Sequence, residues 1–258
     1  MPVRSDRWPA GTPNWVDLAV KDLPAALRFY GELFGWEFID TGDEGGGYRL
    51  AVKGGEQVAG IGEAQDDAWP VVWTTYLASD DADATGVHVL EEGGAVLAPA
   101  FDVLDSGRML VAADPAGAAF GVWQARRHIG VGRYNEHGTL IWNELHTREF
   151  AGSKEFYSRV FGSTFSDVPV EGFEYATLDV DGRGVGGLQH DTLLPDGVPN
   201  YWLTWFGSDD VDATVAAATG LGSAVLFGPV DSPFGRMAIV QAPQGETFGI
   251  LATGSADG

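Results

Sequence analysis

The chain has 258 residues, 45% hydrophobic and 20% charged, with no cysteine, 9 tryptophans and a formal net charge of -22 at pH 7. That length supports one large or two small packed domains. The missing cysteines exclude a disulfide framework, a thiolate nucleophile and a thiolate metal site. The charge argues against a nucleic-acid partner, which needs a basic surface to displace counterions, and against anionic lipid.

No run of about 18 apolar residues occurs, so no spanning helix is expected. The first residues, Met1-Pro2-Val3-Arg4-Ser5-Asp6-Arg7, have no apolar stretch behind their charges. A secretory signal is therefore not expected, and a cytoplasmic location is the working expectation. The tryptophan excess points to aromatic-rich cores or to a cavity lined by indoles.

In chain order, residues 14–20 alternate like a half-buried strand, and Asp22 is placed to cap a helix. Leu23, Leu27, Tyr30 and Phe34 recur at helical spacing, and Gly35 is a natural stop. Short strands are predicted around 36–39, 48–52 and 57–61, separated by glycines. The same order follows again: a strand over 71–77, a helix over about 82–90, then strands near Val96, 109–112 and 119–123. Each half is thus two β-α-β-β-β units in an α+β fold.

The whole half then repeats. Trp15 recurs as Trp142 and Phe29-Tyr30 as Phe156-Tyr157, both at a spacing of 127 residues. Asp80-Asp81-Ala82-Asp83 recurs as Asp209-Asp210-Val211-Asp212, and Gly107-Arg108-Met109 as Gly235-Arg236-Met237. Matched segments in one order at a nearly constant offset mark a tandem duplication. The predicted domains are residues 10–125 and 137–253, with the polar, glycine-bearing stretch 126–136 as linker.

The strand–Asp-Leu–helix pattern with Phe29-Tyr30 and Phe34-Gly35, closed by Asp114-Pro115-Ala116-Gly117, resembles the vicinal oxygen chelate superfamily. That superfamily includes glyoxalase I, extradiol dioxygenases and bleomycin- or fosfomycin-resistance proteins. More narrowly, residues 11–18, 127–130 and 138–145 are similar to a two-domain actinobacterial glyoxalase-like group, some of whose members belong to antibiotic biosynthesis clusters. The resemblance implies paired modules curled into bowl-like sheets with helices on the outside. It also implies metal ligands (His, Glu or Gln) on the first and last strands of the modules.

The family's ligand positions hold other residues here. The first-strand position, seven residues before the capping Asp, is Trp15, Trp142, Thr74 or Leu203; the last-strand position is Gly121 or Gly249, with Gly60 and Gly187 as weaker counterparts. Indole and glycine cannot bind a divalent cation, so no metal and no cofactor are expected. The histidines at 88, 128, 137, 146 and 190 lack metal-ligand spacing, and surface or loop roles are expected for them. The glycine run at 182–187 lacks the Lys-Ser/Thr of a phosphate loop and reads as a hairpin. Arg108 and Arg236 are expected to pair with local carboxylates.

Glycine for glutamate and tryptophan for histidine would make a roomy slot faced with indole. The expected ligand-contacting residues are Trp15, Asp17, Tyr76, Met109, Gly121 and Trp123 in the first half, and Trp142, Glu144, Trp205, Met237 and Gly249 in the second. The expected function is metal-free binding of a planar aromatic molecule, antibiotic or polyketide-like, in natural-product biosynthesis or self-resistance, by a monomer or homodimer. The alternative is a metal-independent enzyme of hydroxylase, isomerase or lyase type on such a compound, with Glu144, His146 or Asp17 moving protons.

Overall fold

The structure, a computed structural model, describes residues 3–42, 45–66, 69–170, 172–195 and 197–254. The first half runs β1 (Pro13–Val20), α1 (Leu23–Phe34), β2 (Glu37–Asp40), β3 (Arg49–Lys53), β4 (Glu56–Glu63), β5 (Trp73–Ala78), α2 (Ala82–Glu91), β6 (Ala95–Val103), β7 (Gly107–Ala113) and β8 (Ala119–Ala125). The second runs β9 (Leu140–Thr147), α3 (Phe150–Phe161), β10 (Thr164–Val168), β11 (Tyr175–Val180), β12 (Arg183–His190), β13 (Tyr201–Ser208), α4 (Val211–Gly220), β14 (Ala224–Ser232), β15 (Gly235–Gln241) and β16 (Thr247–Ala252).

Local chemistry sets the element ends. Asp22 and Asp81 each accept the backbone N–H three residues on, at 2.9 and 3.0 Å, which satisfies a helical donor that would otherwise be orphaned. Gly35 and Gly162 close α1 and α3 at φ of 70° and 73°, a left-handed turn that costs glycine little.

Each half forms one eight-stranded mixed sheet, ordered β2-β3-β4-β1-β5-β8-β7-β6 and β10-β11-β12-β9-β13-β16-β15-β14. The first strands of the paired modules meet at the centre, antiparallel, with Trp15 opposite Tyr76 and Trp142 opposite Trp205. Because side chains alternate, Trp15, Asp17 and Ala19 line one concave face, and Trp142, Glu144 and His146 the other.

The helices lie on the convex side of each sheet, and the two convex sides pack against each other. Phe34 of α1 lies 5.2 Å from Phe206 of β13 and 5.9 Å from Phe248 of β16, ring to ring. Residues of both halves share the large core that holds Val16, Leu18, Tyr30, Trp73, Phe206 and Ile250. Polar pins cross the same interface twice. Tyr30 receives the Trp73 indole N–H at 3.1 Å and donates to Glu246 at 3.0 Å. Tyr157 likewise receives from Trp202 at 3.0 Å and lies 3.4 Å from Asp114. Burial raises both carboxyls above the usual range.

Residues 126–138 are bound to both sheets rather than running free. Val131 N–H donates to Asn14 O at 2.8 Å, Gly132 N–H to Gln57 O at 2.8 Å, and the Trp36 indole to Gly138 O at 2.6 Å. His137 bridges to Gly207 of β13. Among the described residues no helix is long and apolar enough to cross a membrane.

Candidate functional site

The two bowls differ. In the first, the Trp15 indole donates to the Tyr48 hydroxyl at 3.1 Å, and both Tyr48 and Tyr76 donate to Asp17 Oδ2, at 3.4 and 3.0 Å. Burial is the largest influence on Asp17 and outweighs those phenols, pushing its pKa up to about 7. His128 packs edge-on to Trp15 and Trp123, ring centroids 4.2 and 5.2 Å away, while the Trp123 indole donates to its carbonyl at 2.8 Å. Trp15, Tyr76 and Trp123 are all buried, so this concave face is packed with the chain's own rings.

His128 lies in a loop, as expected, but not on the surface: both of its ring nitrogens are buried and have no partner among the described residues. Burial alone pushes its pKa down to about 4, which makes it a neutral filler.

The second bowl encloses a cavity of about 340 Å³. Its walls are Trp142, Tyr175, Trp205, Phe234 and Met237, with Ile141 and Leu251 completing the apolar surface and Glu144, Thr177 and Asp179 supplying polar groups. The difference comes from a few exchanges between the halves. Leu251 stands where the first half has Trp123, each opposite the methionine of the neighbouring strand. Thr177 and Asp179 replace Leu50 and Val52 on the matching strand.

Around Glu144 the site is charged. The His146 Nε2 lies 2.9 Å from Glu144 Oε1, close enough for an ion pair although the N–H direction is poorly aligned for a hydrogen bond. Its Nδ1 lies 3.0 Å from Asp191 Oδ2, and its ring stacks on Tyr201 at 4.9 Å. Burial pushes the imidazole pKa down, but the two carboxylates outweigh it and hold it at about 9. The His146 partnership in turn lowers Asp191. Glu144 lines the cavity; His146 sits behind it, buried. The Trp142 indole donates to the Tyr175 hydroxyl at 2.9 Å, whereas the indole nitrogen of buried Trp205 has no partner among the described residues.

The glycines need a correction. They were expected to leave space facing a ligand. Instead each lies beneath a ring of the chain itself. A Cβ on Gly121 would fall 2.1 Å from the Tyr76 ring, and one on Gly249 2.1 Å from Trp205. Gly60 and Gly187 are covered in the same way, with Tyr48 at 1.7 Å and Tyr175 at 2.0 Å. Gly249 therefore shapes the cavity only by letting Trp205 lie flat. Met109 and Met237 flank their bowls half-buried, and Met237 reaches the cavity. Arg108 forms a two-pronged pair with Asp83, at 2.7 and 2.8 Å, and Arg236 pairs with Asp212 and Asp231, as expected.

A divalent metal does not fit. The positions where the family draws ligands carry indole, glycine, Thr74 and Leu203, and rings occupy the space above the glycines. Among the described residues no group of three or more His, Cys, Asp or Glu side chains is placed to hold an ion. Residues that sequence reasoning missed are Tyr48, Tyr175, Thr177, Asp179, Asp191, Tyr201 and Phe234. Tyr48 and Tyr175 sit at equivalent repeat positions, a signal that was available; Asp191 and Phe234 come from loops and gave none.

Known proteins place the chain. It is 45% identical to "Putative glyoxylase CFP32" of Mycobacterium tuberculosis, over 97% of this chain and 98% of that one. It is 35% identical to the anthracycline biosynthesis protein DnrV of Streptomyces peucetius, covering 95% of this chain and 94% of the relative. The Mn(II)-bound glyoxalase of Novosphingobium aromaticivorans superposes with a TM-score of 0.64 at 18% identity, covering 95% of this chain and 83% of that one, which shows a shared fold. Residues 12–122 and 139–250 match the sequence profile of one family, and the chain belongs to it: the Glyoxalase/Bleomycin resistance protein/Dioxygenase superfamily.

Proposed function

We propose that this protein binds a planar aromatic small molecule in its second bowl, without a metal, in natural-product biosynthesis or self-resistance. The observation that carries the proposal is the cavity of about 340 Å³ walled by Trp142, Tyr175, Trp205 and Phe234. Flat apolar walls with a few placed polar groups suit a multi-ring ligand. The likeness to an anthracycline biosynthesis protein supports a polyketide-type ligand.

Titration with a panel of planar polyketides, read by tryptophan fluorescence, tests this. Saturable quenching is expected, and Trp205→Ala should weaken binding about fivefold or more by removing an aromatic wall. No quenching by any of them sinks the proposal. Metal analysis of the purified protein should find no stoichiometric divalent ion.

A second reading, proton-transfer enzyme, is favoured by the Asp191–His146–Glu144 chain. Glu144 would take a proton from a ligand hydroxyl, while the His146 imidazolium, kept charged by Asp191, orients it. Glu144→Gln separates the two readings. A binder loses at most affinity, whereas an enzyme loses turnover while binding persists.

A further inference from the structure

The polar groups of the second bowl carry one sign of charge. Glu144 and Asp179 both line the cavity, and no Lys, Arg or His does. His146 is charged behind Glu144, but Asp191 lies on its other side, so the three together keep a net negative charge. Arg183, next to the lining residue Gly184, is exposed and is not part of the wall.

Asp179 is the carboxylate open to a ligand. Its Oδ2 accepts the Ser166 hydroxyl at 2.5 Å, whereas no side chain or backbone group among the described residues donates to Oδ1. Opposite it across the ladder is Gly184, and a Cβ there would come to 3.5 Å from that same Oδ1. The glycine therefore keeps the approach to Oδ1 clear. The first half shows the contrast, with Val52 in place of Asp179 and Gln57 in place of Gly184.

We propose that the second bowl selects an aromatic ligand bearing a protonated amine, with the ring system between the indoles and the ammonium at Asp179 Oδ1. The inference rests on the binding function proposed above and narrows its ligand class. Aromatic faces beside carboxylates favour a cation twice over, through the ring quadrupoles and through direct pairing.

Three probes that share one tricyclic ring system but differ in charge test it: 9-anthracenemethylamine, 9-anthracenemethanol and 9-anthracenecarboxylate, titrated at about 0.15 M salt. There the long-range field of the acidic protein is screened beyond about 8 Å, so local pairing dominates. The ammonium should bind about tenfold tighter than the alcohol, and the carboxylate weaker than either. Asp179→Asn should bring the ammonium within about threefold of the alcohol. Gly184→Val, which adds bulk beside Oδ1 at ordinary contact distance, should do the same without removing a charge, and it guards against misfolding of the first variant. Equal binding of all three probes, or a preference for the anion, overturns the amine proposal and leaves the binding function standing. A cation preference that survives both variants also overturns it. If none of the three binds although a planar polyketide does, the amine proposal fails alone; if no polyketide binds either, both proposals fail.

Discussion

Asp17 and Glu144 occupy matching places in the duplicated strands, yet their surroundings give them opposite chemistry. Asp17 is buried under two phenols with no cation, and its pKa rises from 3.8 to about 7. Glu144 has the charged His146 at 2.9 Å and faces a cavity. The sign of the Asp17 effect on stability follows directly. Well below pH 3.8 the carboxyl is protonated folded and unfolded and adds no ionisation cost, and near pH 4 that cost is still under about 1 kcal/mol. As pH rises toward 7 the unfolded chain ionises first, so stability is progressively lost. Asp17→Asn should therefore come within about 1 kcal/mol of the parent protein at pH 4 and exceed it at pH 8 by a few kcal/mol, since each shifted unit is worth about 1.4 kcal/mol. Denaturant titrations at the two pH values check this, and a constant difference would contradict it.

At the scale of elements, three of the four helices among the described residues share one device, an aspartate accepting the N–H three residues on: Asp22, Asp81 and Asp210. The fourth, α3, begins at Glu149, whose longer side chain makes no cap hydrogen bond. Glu149→Asp should stabilise by about 0.5–1 kcal/mol and raise the melting temperature by a few degrees. A melt that does not move would show that the α3 entry cannot bring a shorter carboxylate to its N–H groups. Caps, closing glycines and strand alternation act within a few residues, which is why these elements could be read from the sequence. The same alternation brought Trp142, Glu144 and His146 to one face. It could not bring in Asp191, which reaches His146 from a loop 45 residues away, nor show that Leu251 opens what Trp123 closes.

The whole molecule is two sheets back to back, with their bowls facing away from each other. The helix-bearing faces are buried between them, so neither half has a complete core without the other. Tyr30–Glu246 and Tyr157–Asp114 fix the register of that interface. Calorimetry should show one cooperative unfolding transition rather than two, and residues 1–125 expressed alone should expose Phe34, Trp36 and Trp73 and aggregate. Two separated transitions would mean that the halves are independent domains.

The sequence by itself determined the duplication and the four β-α-β-β-β modules, because each is a statement about residue type at a fixed local spacing. Which bowl stays open was decided only by the tertiary structure. It depends on how large rings from distant strands and from residues 126–138 share a limited volume, and close packing lets a few exchanges, leucine for tryptophan among them, settle the outcome. Trp15 and Trp142 occupy the same place in their repeats. One is packed under His128; the other walls a cavity.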